Sequence, residues 1–313
     1  MKTQWPLLSF QDAKATYATL HRWAQIIGKI KLATMPWINH SWGVTLYPSV
    51  SGLTTHSIPY GDFSFQIELD FAAHLLRVST SANSQRSAPL KELSVAGFYR
   101  TIFTLLDELD IHIRIDPRPA EMPHAIRLDE DHAHSSYDEL QVAAMHRAFL
   151  LIEQVLLEYR SGFVGKASPV QLFWGGFDLS LTLFSGARAP KHPGSFAGLP
   201  DSVLQDAYSH EICETGFSLG SKGDPQASFY CSVYPVQSGY DLSALMPEQA
   251  VYDAGSGAFS LAYDAVRRSA DPHGMLLDFF TSAYQLTTGE AGWDTALRSP
   301  KVWSKGKVSA LMG

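Results

Sequence analysis

Four consecutive residues in the second half of the chain, Tyr208-Ser209-His210-Glu211, gather a phenol, a hydroxyl, an imidazole and a carboxylate. Imidazole titrates close to neutrality and serves as a general base or a metal ligand. His210 is therefore expected to be the base or a ligand, with Glu211 orienting it. The pair matches the start of H-E-x-x-H, but the second histidine is missing. That motif also needs a helix to bring its ligands to one face, and these residues read as a loop entering a strand. Asp178 is the second candidate. It lies among Trp174, Phe177 and Leu179, where a buried carboxylate must be paired or hydrogen-bonded, and Lys166 and Arg188 are the expected partners. His40, just ahead of Trp42, holds the corresponding place in the first half. The expected catalytic set is thus His210, Glu211, Asp178, His40 and Tyr208. Lys166 and Arg188 would hold an anionic group, and Trp174 and Trp42 would line the substrate site. A divalent metal is the cofactor this set would admit, with His40, His210 and Glu211 as ligands. His132 and His134 stand two apart beside Asp129-Glu130-Asp131, half of a metal site in an extended chain. A solvated acidic connector ahead of a helix N-terminus is the preferred reading there.

Other motifs fail on their neighbours. Gly216-Phe217-Ser218-Leu219-Gly220 fits G-x-S-x-G, but a nucleophile elbow needs a helix next, and Ser221-Lys222-Gly223-Asp224-Pro225 is a loop. Gly165-Lys166 is no P-loop, because Arg160 stands where glycine is needed and Ala167 replaces Ser/Thr. No G-x-G-x-x-G follows a strand, so no nucleotide cofactor is expected. Net charge is -7, with 24 Lys and Arg and no basic cluster, so neither nucleic acid nor an anionic membrane is an expected partner. A small-molecule ligand or substrate is. The start Met1-Lys2-Thr3-Gln4-Trp5-Pro6-Leu7-Leu8 lacks the apolar core of a signal peptide. No run approaches the roughly 18 apolar residues of a membrane span. The two cysteines, Cys213 and Cys231, are too few for a disulfide framework. A cytoplasmic protein is the expectation.

The elements that must position these residues follow from periodicity. Ser9 caps a helix carrying Tyr17, Leu20, Ala24 and Ile27, stopped by Pro36. Asn39–Tyr47 reads as a strand. Phe63–Phe71 alternates strictly, and Leu75–Ser79 pairs with it. Ser94 caps a second helix, and Ile111, Ile113 and Ile115 suggest a short strand. Prolines 117, 119 and 123 mark a connector. Ser136-Tyr137-Asp138-Glu139 is a capping box that opens a long helix ending near Gly162. Strands follow at about 170–174 and 177–185, with a turn at Gly175-Gly176, then a Pro/Gly-rich loop from Gly186 to Pro200. Further strands are expected near 211–217, 228–234 and 258–263. Asp271-Pro272 opens the last helix.

Both halves read helix, Gly-Lys, Trp-Gly strand, further strands, helix. The first has Gly28-Lys29 and Trp42-Gly43; the second has Gly165-Lys166 and Trp174-Gly175. An α+β fold of two pseudo-repeated helix–antiparallel-sheet halves packed together is predicted. Its bounds are residues 1–116 for the first half, 117–135 for a connector, 136–298 for the second half and 299–313 for a flexible tail. Sites are expected where the halves meet.

Phe163-Val164-Gly165-Lys166, Ser168-Pro169-Val170, Phe173-Trp174-Gly175-Gly176-Phe177-Asp178-Leu179, Phe184-Ser185-Gly186 and Ala207-Tyr208-Ser209-His210-Glu211 together resemble a bacterial family known as a domain of unknown function. Asn39-His40, Trp42, Gly52-Leu53-Thr54-Thr55 and Ile58-Pro59-Tyr60-Gly61 extend the resemblance over nearly the whole chain. It implies a free-standing bacterial protein and carries no activity with it. Gln171 stands where the family pattern implies His, and Leu183 where it implies Arg, which weakens a metal ligand or an anion clamp at those places. The expected function is a small-molecule enzyme with a His/Asp/Glu site between its halves, metal-dependent if the His and Glu ligands converge. The alternative is a non-catalytic small-molecule binding protein.

Overall fold

The computed structural model describes residues 4–298 except 92, 123 and 222. The expected tail, 299–313, lies outside them, as does Pro123 of the connector. The first helix, α1 (Phe10–Thr34), starts where the Ser9 hydroxyl accepts from the Asp12 N–H, and ends ahead of Pro36. It buries Tyr17, Leu20, Trp23, Ala24 and Ile27. Next come β1 (Tyr47–Pro48), β2 (Gly52–Thr54), β3 (Ile58–Tyr60), β4 (Phe63–Asp70), β5 (Leu75–Thr80) and β6 (Gln85–Pro89). They form one antiparallel sheet in the order β1-β2-β4-β5-β6, with β3 also on β4. Helix α2 (Val95–Asp107) follows, capped by Ser94, and lies with α1 over this sheet.

After the connector, α3 (Glu139–Ser161) is followed by β7 (Gln171–Phe173), β8 (Asp178–Arg188), α4 (Asp201–Ala207), β9 (His210–Ser218), β10 (Ser228–Tyr234), β11 (Val251–Asp253), β12 (Ala258–Ala262), α5 (Tyr263–Arg268) and α6 (Pro272–Glu290). The second sheet is also antiparallel, in the order β11-β12-β10-β9-β8-β7. Phe149, Phe217, Phe229, Phe279 and Phe280 fill the core beneath it, each essentially inaccessible. Cys213 and Cys231 are buried there too as free thiols 3.7 Å apart. Although the sequence holds no run of roughly 18 apolar residues, helix α3 has the length and mean hydropathy to cross a membrane, by those two measures only. In this fold it buries Val142, Met145, Phe149, Ile152 and Leu156 in the protein core. The two sheets join edge to edge at one bridge, where Leu46 and Leu172 exchange N–H···O bonds of 3.0 and 2.7 Å.

The α+β class holds, with two antiparallel sheets each covered by helices. Several elements differ from expectation for identifiable reasons. Residues 39–45 do not form a strand; only Tyr47 enters one, β1. Asn39–Ser41 is a 3-10 turn in which His40 and Ser41 take φ of 61° and 59°. Contacts from α4 capture this turn: the Asp206 carboxylate accepts from the His40 N–H at 2.9 Å, and the Ala207 carbonyl accepts from His40 Nδ1 at 2.9 Å. Ile111–Ile115 alternates but pairs with no strand in a backbone ladder; the His112 N–H donates instead to the Tyr60 hydroxyl at 2.9 Å, and the segment stays irregular with Ile111 in the core. The cap of α3 is Asp138, which accepts from the Leu140 and Gln141 N–H groups, while Ser136 turns to Thr16 at 3.2 Å. Pro200 begins α4 at the end of the expected loop. The acidic connector is not simply solvated. Asp131 is fully buried, 3.2 Å from Arg22 Nε and 2.7 Å from His134 Nδ1, and ties the connector to α1.

Candidate functional site

Side chains alternate between the faces of a strand. Asp178, Ser180, Thr182 and Phe184 therefore share one face of β8 with Ile212, Glu214 and Gly216 of β9 and Tyr230 of β10. Pairing places Ser180 and Tyr230 on either side of Gly216, and Thr182 beside Glu214. Gly216 has no side chain to fill this row, so the Tyr230 phenol lies across it and donates to Asp178 Oδ2 at 2.5 Å. Ser180 Oγ donates to Glu214 Oε1 at 2.9 Å. A third carboxyl arrives from the connector. The Glu121 carboxyl rests where a side chain at Gly175 would be, and Asp178 Oδ1 would stand 2.6 Å from a Cβ at Gly176. The Gly175-Gly176 turn thus leaves room for both acids.

These groups line a half-enclosed cavity of ≈ 820 Å³, ample for a small organic molecule. The late part of α1 contributes Lys29, and the 3-10 turn contributes His40 and Trp42. The connector adds Arg118 and Glu121, and α4 ends at Tyr208 on the far side. Trp174 stands in the wall, its indole N–H donating to the Val44 carbonyl at 2.9 Å and its ring filling the place of a side chain at Gly28. Lys29 Nζ lies 6.0 Å from the Trp174 ring, and Lys166 Nζ lies 5.3 Å from the Trp42 ring, so each half's Gly-Lys lysine approaches the other half's Trp-Gly tryptophan.

Burial pushes all three acids up, and the Asp178 charge adds to it at the two glutamates. Glu121 and Glu214 are each raised from about 4.5 to about 7, by burial first and then by the Asp178 charge. Asp178 is raised by burial, opposed by the Tyr230 hydrogen bond. Tyr208 is held protonated by the nearby Glu214 charge and by burial. A carboxyl whose folded pKa is raised contributes stability that is complete below its unfolded pKa and is lost as pH rises through the folded one. Glu214→Gln removes that loss. The variant is expected to exceed the wild type in unfolding free energy at about pH 8 by on the order of 1–3 kcal/mol, a range discounted for solvent in the cavity, and to match it near pH 4. Urea midpoints at the two pH values check this, and equal midpoints at the higher pH would refute it.

Five of the nine residues singled out in the sequence meet in this cavity: Asp178, His40, Tyr208, Trp42 and Trp174. The other four do not line it. Glu211 points to the opposite face of β9 from Glu214 and accepts from Ser185 Oγ at 2.8 Å. Arg188 pairs with His210 in the β8–β9 register beyond a bulge. His210 lies beside His40, at 5.8 Å between ring centroids, and burial with the neighbouring His40 lowers its pKa. Lys166 lies against Trp42 and Phe184. Neither Lys166 nor Arg188 is the partner of Asp178; Tyr230 is. Among the described residues no three His, Cys, Asp or Glu side chains are arranged to hold a metal ion. Ser218 lies in β9, followed by a loop, and its Oγ accepts from the Gly220 N–H, so no elbow forms. Glu121, Glu214 and Tyr230 are the site residues that sequence reading missed. The alternation Ile212-Glu214-Gly216 was the available signal for one of them: an acid inside an otherwise apolar strand face.

One family model matches residues 5–299, and its description is that of a family of unknown function, DUF5996. No curated protein and no solved structure matches the chain.

Proposed function

From a chain that belongs to the family of unknown function DUF5996, and from its cavity, we propose an enzyme that moves a proton on a small organic molecule, with Asp178, Glu214 and Glu121 as the acid–base groups. The observation that carries this reading is the convergence of three carboxyls on the inner wall of one aromatic-lined cavity. An acid and a base are most effective when their pKa values lie near the working pH, and two of these carboxyls are raised to about 7. Asp178 is the pivot, since its charge raises both glutamates and its own geometry is fixed by Tyr230. Tyr208, kept protonated, is a hydrogen-bond donor for an oxygen of the substrate. The aromatic walls shield part of the cavity from solvent, which strengthens the charge interactions against them. The crosswise Lys–Trp approaches support the further reading that the halves are pseudo-repeats and that the site is a product of their pairing.

Incubation of the protein with pooled small metabolites, followed by mass spectrometry, tests the reading. The wild type is expected to consume a defined compound, and Asp178→Asn to do so about 10²–10⁴-fold more slowly while remaining folded. Compounds that bind without any wild-type-dependent conversion would leave a binding protein instead.

A further inference from the structure

The inner wall of the cavity gathers carboxyl acceptors. The side-chain hydrogen bonds to Asp178 and Glu214 come from the neutral hydroxyls of Tyr230 and Ser180. Among the described residues no cationic side chain acts on Asp178, Glu214 or Glu121. The two cations of the cavity are engaged elsewhere: Arg118 is paired with Asp116 at 2.7 Å, and the same carboxylate acts on Lys29. A fourth acceptor comes from a different kind of group. His40 is 4% exposed, and its Nδ1 must carry the hydrogen because it faces the Ala207 carbonyl at 2.9 Å. In the neutral ring Nε2 is then an acceptor, buried and without a partner among the described residues. Leaving such a group unsatisfied costs about 1–3 kcal/mol, which a ligand donor would recover. One orphaned donor, Trp42 Nε1, stands in the same wall.

What fits several acceptors and an acidic set without a cationic partner is a positive charge on an organic frame. A bare metal ion requires oxygens within about 2.6 Å of one point, and the described side chains do not offer such a set. An ammonium group has hydrogen bonds of about 2.8 Å to distribute among separated carboxylates. We infer that the cavity takes a small organic amine, a primary or secondary ammonium carrying a hydroxyl for the Trp42 N–H. This inference rests on the preceding reading that the cavity is the working site, and it names the charge class of the molecule that enters.

A matched trio of probes tests it: phenylethanolamine, the neutral phenylethylene glycol and the anionic mandelate, titrated into the whole protein and followed by calorimetry. Phenylethanolamine is expected to bind at least ~10-fold more tightly than the glycol, and mandelate more weakly than either. Glu214→Gln is expected to weaken the amine by about 10-fold and to leave the glycol within about 2-fold. Amine affinity should rise between about pH 5.5 and 8, as the carboxyls ionise while the amine stays charged. Glu153→Gln, outside this cavity, serves as the folded control. Tighter binding of the glycol or mandelate, an amine affinity indifferent to Glu214→Gln, or no saturable amine binding would each overturn the inference. Amine binding without turnover of any compound would sink the catalytic reading and leave this one standing. Turnover of a compound that is not an amine would do the reverse.

Discussion

Asp131→Ala is expected to destabilise the protein by about 3–5 kcal/mol, because it leaves a partly buried guanidinium without its counter-charge. Asp131 is entirely inaccessible, and its carboxylate serves four groups. Arg22 of α1 approaches at 3.2 Å, His134 Nδ1 at 2.7 Å, and the N–H groups of Ala133 and His134 donate at 3.1 Å each. Its own carbonyl accepts from the Ala96 N–H at the start of α2, so the residue ties the connector to both helices of the first sheet. Truncation orphans two backbone donors and a side chain that is only 13% exposed. Urea denaturation measures the loss. Asp131→Asn retains acceptor capacity and is expected to lose less. A change below about 1 kcal/mol in the alanine variant would mean that water replaces the carboxylate, and that the connector is held by its backbone alone.

Gly216→Ala is expected to be harmful in both stability and turnover. In a strand, alanine is ordinarily preferred over glycine by roughly 0.5–1 kcal/mol. Here the added methyl would stand 2.5 Å from the Leu179 carbonyl oxygen and fall on the Tyr230 phenol. Overpacking of this kind costs about 1–3 kcal/mol, so the sign of the substitution inverts. The displaced phenol also releases Asp178, and conversion of whatever compound the wild type consumes should fall by about 10²-fold. Thermal unfolding and the metabolite assay read the two effects separately. Adding Tyr230→Phe to Gly216→Ala should restore part of the stability and none of the turnover. Full restoration of turnover would show that the Tyr230 hydrogen bond does not position Asp178.

Local signals served well where the determinant was local. The β10 strand, the Ser9 and Ser94 caps and the Asp271-Pro272 start of α6 all lie where the residue pattern puts them. Asp178 was legible because an acid between Phe177 and Leu179 demands an explanation. Its partner was not, since Tyr230 reaches it only through the register of three antiparallel strands, and register depends on turns and core packing rather than on any one segment. Glu121 was hidden for another reason: it sits in a proline-rich connector whose path is set by contacts with Gly198 and Gly175. Tyr208-Ser209-His210-Glu211 looked like a cluster in sequence, but the pleat of β9 sends Glu211 away from Glu214, so adjacency in the chain worked against adjacency in space. His40 was identified by type, yet its left-handed backbone is fixed by Asp206 and Ala207, more than 160 positions away.

A designer seeking a more heat-resistant version of this protein would turn early to Gly28. It lies inside α1, is buried, and by helix propensity alone should gain about 1 kcal/mol on conversion to alanine. That choice would fail, because the space beside its Cα already belongs to the Trp174 indole. The helix accepts a weak position so that an aromatic wall can stand against it, and the width of the cavity is written into a residue that no catalytic or binding motif includes.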